Sequence, residues 1–153
     1  MYLDAKNEFS DAQAVTTTAI SSNVVIDLGS VNATKDIGLG EPLWLIVLTN
    51  TLVTDSGSDA TLTVTLESAA DAGLTLGPVV HYTTGAMAFG TFSPAGTVLV
   101  AIRLPSADYK RYVGIRYTVA NGPLTAGKFD AFLTHDIQKW KSYADNVTIA
   151  SGA

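Results

Sequence analysis

The sequence predicts an all-β protein: an antiparallel β-sandwich of jelly-roll-like topology with an extended N-terminal arm. Short runs of β-branched and aromatic residues recur along the 153 residues, separated by Gly, Pro, Asn and Asp turn signals. Helical periodicity is scarce, and the chain lacks the strand–helix alternation of parallel sheets. Two connections, 34–41 and 84–96, are longer than hairpin turns, which favours Greek-key or jelly-roll connectivity. An immunoglobulin-like sandwich is the alternative that this pattern leaves open.

The arm begins the chain and contains FSDAQAVTTTA at 9–19. Ser10 and Gln13 have the spacing of a helix capping box, but the β-branched run at 15–18 favours extended structure over a growing helix. We therefore interpret 1–19 as an extended arm with at most a single turn at 10–13. Its backbone is expected to pair along a sheet edge, either of its own sandwich or of a neighbour.

The first three strands follow the arm. Residues 20–28 form a strand that ends at Gly29. Residues 42–50 contain LWLIVL, which is apolar on both faces and so predicts a buried central strand. Residues 61–68 alternate, which predicts a half-buried strand with one side in water. Its core face holds Leu62, Val64 and Leu66, and its wet face holds the threonines and Glu67.

Four further strands complete the predicted sandwich, at 79–82, 97–104, 111–120 and 129–133. Two of them alternate clearly between apolar and polar positions. The apolar face of 97–104 holds Val98, Val100 and Ile102. The apolar face of 111–120 holds Val113, Ile115, Tyr117 and Val119. The turn Asn121-Gly122-Pro123 separates the last two strands.

The length suits one domain, because domains typically have about 100–200 residues. We divide the chain into an N-terminal arm at 1–19, a β-sandwich at 20–137 and a C-terminal tail at 138–153. Trp140 and Tyr143 are the large residues of the tail.

The amino-acid composition limits the classes of site and partner that the protein can have. Only 15% of the residues are charged, which suggests that other chains cover part of the surface. The chain has no cysteine, so disulfides and Cys-based zinc sites are excluded. A net charge of −5 argues against general nucleic-acid binding. The N-terminus lacks the apolar region of a signal peptide, and no apolar run is long enough to span a membrane, so we expect synthesis in a cytoplasm and no membrane partner.

The charge is unevenly distributed. Residues 1–75 hold ten acids and two bases, net −8, and residues 76–153 hold four acids and seven bases, net +3. Two halves on different faces would give the molecule a polar axis. The simpler interpretation, which we favour, is that the halves intermix in the fold and the asymmetry cancels.

Candidate reactive residues are few. The chain has two histidines, His81 and His135, too far apart in sequence to supply a cupin-like metal site. Asp55 and Asp59 share a polar loop, but two carboxylates fall short of a calcium ligand set. No nucleophile elbow or phosphate-binding loop is present. We expect no enzyme activity, metal or cofactor.

Aromatic residues flank a Gly-rich loop at 84–96 and offer one binding hypothesis. They are His81, Tyr82, Phe89 and Phe92. Exposed rings there would stack on sugars, as in a carbohydrate-binding module. The favoured alternative is that Phe89 and Phe92 close the end of the sandwich.

Three segments resemble one known family. They are FSDAQAVTTTAISSNVVIDLG, DIGLGEPLWLIV and LPSADYKRYVGIRYTVANGPLTAGKFDAFLTHDIQKWKSYADN. They are similar to the capsid cement, or decoration, proteins of tailed bacteriophages, the family that includes the Bordetella-phage cement protein. The resemblance covers nearly the whole chain and is weakest at 51–95. It implies a jelly-roll sandwich on the outside of an icosahedral capsid, with no catalytic residues to carry over.

The resemblance also implies partners and a location. The expected partners are the major capsid protein of a tailed phage and the protein itself, with a homotrimer favoured over a dimer. The expected location is the outer surface of the virion, after synthesis in the host cytoplasm. The alternative function is a receptor- or carbohydrate-binding module of a virion.

Two segments are the predicted interaction surfaces. In the arm, Phe9 is the expected apolar anchor, with Asp11 as a polar partner and Ser10 and Gln13 beside them. In the tail, Trp140 and Tyr143 are of the residue types favoured at interface centres. The alternative, which the sequence leaves open, is that Phe9 and Trp140 cover the edges of their own sandwich.

Overall fold

A computed structural model of the chain describes residues 7–22, 26–29 and 42–135. Within these ranges, ten strands and one short helix follow one another. In chain order they are β1 (Glu8–Ala14), β2 (Ala19–Ile20), β3 (Ile26–Asp27), β4 (Trp44–Thr54), β5 (Thr61–Ala69), β6 (Val79–Thr83), β7 (Met87–Ala88), α1 (Phe89–Phe92), β8 (Val98–Arg103), β9 (Tyr112–Ala120) and β10 (Ala126–Thr134). No helix among the described residues is long and apolar enough to cross a membrane.

The strands form two antiparallel sheets. Sheet I has the order β1-β10-β4-β8, and sheet II has the order β2-β9-β5-β6, with β3 also pairing β9 and β7 also pairing β5. If β2 with β3, and β6 with β7, are counted as two interrupted strands, eight strands remain. The first then pairs with the last, the second with the second last, and so on inward. This nested pairing is the jelly roll, and it confirms the predicted all-β sandwich.

The core lies between the sheets, as the alternation predicts. Leu62, Val64 and Leu66 of β5 are buried, and so are Val113, Ile115 and Tyr117 of β9. The LWLIVL strand is central in sheet I, between β10 and β8, and its residues 45–48 are buried on both faces. Val119 packs against the same core from a partly buried position.

The N-terminal segment is extended and pairs along an edge of its own sandwich, which is one of the two alternatives that the sequence left open. Residues 8–14 form β1, which pairs with β10 at the edge of sheet I, so the sandwich begins about a dozen residues before the predicted boundary at 20. Two register shifts interrupt the pairing, and Ala12 has a φ of +44°. These bulges remove the alternation that identifies a strand in sequence. The capping-box spacing therefore does not mark a helix, as the β-branched run behind it indicated.

The predicted strand at 20–28 is two short ladders instead. β2 and β3 each pair with β9 over two residues. Backbone hydrogen bonds from Ser21 N to Ile115 O and from Leu28 N to Arg111 O extend the contact on either side.

The wet face predicted for β5 is partly covered. Thr65 and Glu67 are buried, at 9% and 5% exposure, because the segment after β5 places Leu74 over this end of the sheet. Leu74 itself is 1% exposed and has a φ of +51°. Alternation correctly predicted which side chains point outward, but it could not show that a loop covers them.

The apolar face predicted for β8 is also divided. A register shift between Val47 and Leu48 leaves Leu99 as an extra residue on β8. Beyond the shift, Val98 is 37% exposed, whereas Val100 is buried in the core. The bulge thus turns Val98 away from the face that it was predicted to share.

Candidate functional site

The predicted interaction residues of the N-terminal segment divide into buried and exposed groups. Phe9 and Ser10 have no exposed area, because both are packed inside the sandwich of their own chain. Of the two alternatives for Phe9, the structure shows the one in which it belongs to its own core. Asp11 is exposed and Gln13 is half-buried. Trp140 and Tyr143, together with the predicted tail, lie outside the described residues.

Ser10 and Gln13 instead belong to a polar network between the two sheets. The hydroxyl of Tyr117, on β9, donates to Ser10 Oγ at 3.0 Å, and Ser10 Oγ donates to Gln13 Oε1 at 2.7 Å. Gln13 Nε2 donates to Ile20 O at 2.8 Å, and Gln13 Oε1 accepts from Ser22 N. Burial raises the pKa of Tyr117, so the phenol stays a neutral donor. The network fixes β1 against the chain that leads into sheet II.

Acidic side chains surround the exposed side of β1. Asp130 Oδ1 accepts from Ala12 N at 2.6 Å, and Asp130 Oδ2 accepts from Asn50 Nδ2 at 2.8 Å. Burial, followed by the charges of Asp11 and Asp130, raises the pKa of Glu8. Asp11 is therefore the predicted contact residue that remains available at this edge.

The two histidines lie in different environments. His81 Nε2 is 2.7 Å from the Oγ of fully buried Ser68, which also accepts from Lys110 N at 3.0 Å. The His81 ring lies 4.1 Å from the ring of Tyr109, centroid to centroid. Burial lowers the pKa of His81 and raises that of Tyr109 to about 12, so both are uncharged at neutral pH. His135 is exposed, with Nδ1 3.2 Å from Pro42 O.

The Asp55 carboxylate of the polar loop accepts hydrogen bonds from the backbone. Asp55 Oδ2 accepts from the amides of Asp59 and Ala60, both at 3.1 Å. Across 7–22, 26–29 and 42–135, no group of three or more His, Cys, Asp or Glu is arranged to hold a metal. This end of the sandwich therefore carries an ordered turn.

The aromatic side chains near the Gly-rich loop close the sandwich. Phe92 has no exposed area, and its ring packs edge-on against that of Phe89 at 5.6 Å. Phe89 and Tyr82 are partly buried against the core. The full burial of Phe92 and the partial burial of Phe89 and Tyr82 favour the closing role over sugar binding.

Three exposed apolar side chains at or near the β6 edge were missed by the sequence analysis. Leu76, Val79 and Val80 are 64%, 41% and 53% exposed and lie within five positions of one another. We call these three residues the β6 patch. In the sequence they resemble any core strand next to a Gly-Pro break, so only the edge position of β6 shows that they face solvent.

Charges from the two halves of the chain intermix, as the favoured interpretation predicts. Arg111 forms a two-pronged pair with Asp27, at 2.8 and 2.9 Å. Arg116 Nε lies 3.0 Å from Glu67 Oε2, and its Nη2 donates to Leu74 O at 2.8 Å. Both pairs join an acid of 1–75 to a base of 76–153, because the jelly roll pairs early strands with late ones.

These features define a class: a jelly-roll sandwich whose described surface offers a charged edge at β1 and an apolar edge at β6. The family model Bbp16 matches residues 9–133, from β1 to β10. The chain therefore belongs to the Bbp16 family. The name indicates a Bordetella phage protein, in agreement with the phage resemblance of the sequence. No curated protein matches the chain.

Proposed function

We propose that this protein is a capsid cement, or decoration, protein that binds the outside of a tailed-phage capsid and stabilises the mature head. The observation that carries the proposal is membership of a phage protein family across the entire sandwich, residues 9–133. The cement-protein resemblance of both halves of the sequence supports it. The proposed partners are the major capsid protein and further copies of this chain.

The architecture suits such a role. A jelly roll with a well-packed core loses little conformational entropy when it docks, so modest contacts remain favourable. Many copies on one lattice then add weak contacts into a large total stabilisation. The exposed groups at the β1 and β6 edges are available for contacts of this kind.

Adsorption to phage shells tests the proposal. Purified protein is mixed with immature and expanded shells of the phage that encodes it, and the bound fraction is measured by co-sedimentation. We expect binding to expanded shells, together with a higher temperature of shell disruption. Protein that stays in the supernatant with both kinds of shell contradicts the proposal.

Asp11 provides the residue-level version of this test. Asp11→Lys reverses an exposed charge on β1, and Asp59→Lys is the matched control in the polar loop of the same chain. If β1 faces the shell, Asp11→Lys lowers adsorption and Asp59→Lys does not. Equal adsorption of both variants places the contact elsewhere on the molecule.

A further inference from the structure

Sheet I carries a second apolar cluster on its outer face, the side turned away from sheet II. Ile46 and Leu48 of β4 and Phe132 of β10 form this cluster, which is separate from the core between the sheets. Leu45 and Val47 point into that core, so alternation along β4 places the cluster on the opposite side. We call Ile46, Leu48 and Phe132 the outer cluster.

The outer cluster is shielded from solvent. Ile46, Phe132 and Leu48 are 0%, 3% and 7% exposed. Neighbours within a sheet flank a side chain but leave its tip open, because the side chains of one face stand roughly perpendicular to the sheet. Exposure this low therefore requires a cover that lies across the face. The strands that flank the cluster all belong to sheet I itself, and Phe132 has a further interaction partner.

Acidic side chains border the outer cluster on the side of β1. Glu8 is directly opposite Phe132 in the β1–β10 register, so both side chains project from the same face. Asp130 lies two positions before Phe132 and shares that face, and its described hydrogen-bond partners are uncharged amides. Burial, and then the charges of Asp11 and Asp130, raise the pKa of Glu8, so the three carboxylates lie close together. We call Glu8, Asp11 and Asp130 the acidic rim.

The C-terminal tail has the composition that fits such a surface. Apolar and basic side chains alternate at 137–143, where the sequence contains Ile137, Lys139, Trp140, Lys141 and Tyr143. Strand β10 ends at Thr134, two positions after Phe132, and leads directly into the tail. Six further residues reach Trp140 and span up to about 20 Å, whereas Phe132 lies only about 7 Å back along the strand. The tail is therefore long enough to fold back over the outer cluster.

The connection at 30–41 is the competing cover. It contains one base and two acids, Lys35, Asp36 and Glu41, so its net charge has the same sign as the acidic rim. The tail instead carries two bases and no acid between 137 and 144. Charge complementarity therefore favours the tail.

We infer that the outer face of sheet I is a docking surface for the C-terminal tail of the same chain, with Trp140 against the outer cluster and Lys139 and Lys141 toward the acidic rim. Docking removes Trp140 from the surface that a partner can reach and continues sheet I into the tail. The inference concerns the isolated chain and does not depend on the proposed function.

Zero-length cross-linking of the unmodified full chain locates the tail. A carbodiimide joins an amine to a carboxylate where the two are in contact, and peptide mass spectrometry identifies the joined residues. We expect Lys139 or Lys141 to be joined to the acidic rim. Asp59, exposed beyond the far end of β4 from Trp44, is the internal control and should be joined to neither lysine. Mixing isotope-labelled and unlabelled chains distinguishes links within one chain from links between copies.

Tryptophan fluorescence tests the burial of Trp140 independently. The chain has two tryptophans, so Trp44→Phe leaves Trp140 as the only one. Acrylamide should quench Trp140 in this full chain about threefold or more less than in an isolated peptide of residues 136–153, because a docked indole is reached only when the tail opens. Phe132→Ala should raise the quenching, whereas Leu52→Ala, at a residue 60% exposed on β4, should not.

The two experiments have defined contrary outcomes. An absence of links between the tail lysines and the acidic rim within one chain overturns the inference, and so does quenching of Trp140 equal to that of the peptide. Links from Lys35 to the rim would assign the cover to 30–41 instead. Links formed only between copies would mean that the face receives the tail of a second chain. Neither experiment uses shells, so failure of shell adsorption leaves this inference intact.

Discussion

At the residue scale, the hydrogen-bond network of Tyr117, Ser10 and Gln13 predicts which of two substitutions destabilises the fold more. Tyr117→Phe removes a donor, but Ser10 keeps its bond to Gln13, so the expected cost is about 1 kcal/mol. Ser10→Ala leaves a fully buried phenol without its acceptor, and the expected cost is about 1–3 kcal/mol. Urea unfolding of the two variants should rank Ser10→Ala as the less stable. The opposite ranking would mean that loss of the phenol donor costs more than leaving the buried phenol without its acceptor.

Gly127 lies at a position where the backbone conformation and a close neighbour require glycine. Its φ is +152°, and a Cβ there lies 2.9 Å from both γ-carbons of Val53. Gly127→Ala should cost about 2–3 kcal/mol through strain and overpacking. Gly90 has open space around a Cβ and no positive φ, so Gly90→Ala should stay within about 0.5 kcal/mol of the wild type. Thermal unfolding of both variants compares them, and equal effects contradict the close approach of β10 to Val53.

His81 gives the molecule a defined pH dependence. Burial lowers its pKa in the folded chain, whereas the unfolded chain binds a proton near the ordinary value of about 6.5. As pH falls through that value, the unfolded state takes up the proton first, and stability decreases. The wild type should lose more stability between pH 7.5 and 5.5 than His81→Gln, measured by urea unfolding. His135→Gln, at an exposed position, should follow the wild type, and identical pH profiles for all three chains would exclude the effect.

At the element scale, strand β1 shows what the sequence could and could not predict. β5 and β9 were predicted with the correct inward residues because their alternation survives in the fold, and β4 was predicted as a buried strand because its run LWLIVL is apolar on both faces. β1 was interpreted as an arm, since two bulges and the φ of Ala12 remove its period-two pattern. The polar character of 9–19 is real, but Ser10 and Gln13 are used inside the molecule. Burial by a distant strand is a tertiary effect that local pattern does not contain.

The dependence of burial on distant strands also explains which functional features the sequence could predict and which it could not. The resemblance to a Bordetella-phage family agrees with the Bbp16 match from β1 to β10, because its motifs are sequence features. The β6 patch was missed because the sequence predicts a strand at 79–82 without showing whether that strand is central or at an edge. The exposure of Val79 and Val80 follows from the place of β6 at the end of the strand order, and that order depends on pairings between distant parts of the chain.

Because β1 is part of the sandwich, Phe9, which was first considered an interface anchor, should contribute strongly to the free energy of unfolding. Phe9→Ala should cost about 3–5 kcal/mol, because it removes a fully buried ring from the core. Asp11→Ala, two positions away and exposed, should change stability by less than about 0.5 kcal/mol. Chemical denaturation measures both. Near-equal stability of the two variants would mean that β1 detaches from the sandwich in solution, as a free arm does.

At the scale of the whole molecule, the nested strand order predicts that neither sheet is stable alone. β10 lies between β1 and β4 in sheet I, and its residues Phe129, Ala131 and Leu133 are part of the core shared with sheet II. A chain that ends at Asn121 keeps every strand of sheet II but leaves the core open, so it should show no cooperative thermal transition. A retained transition would show instead that sheet II folds independently.

Adding the missing strand β10 as a separate peptide tests the same prediction, because the peptide should restore the core that the truncated chain lacks. A peptide of residues 122–135 carries β10 and should pair between β1 and β4, as an added strand does in β-augmentation. We expect the peptide to recover the cooperative transition of the truncated chain in a concentration-dependent way. A peptide with Phe129→Asp is the matched control, because it can form the same backbone hydrogen bonds but places a charge where the ring stacks on Tyr117 at 5.5 Å. Equal recovery with both peptides would mean that backbone pairing alone closes the sandwich, whereas recovery with the native peptide only assigns that role to the shared core.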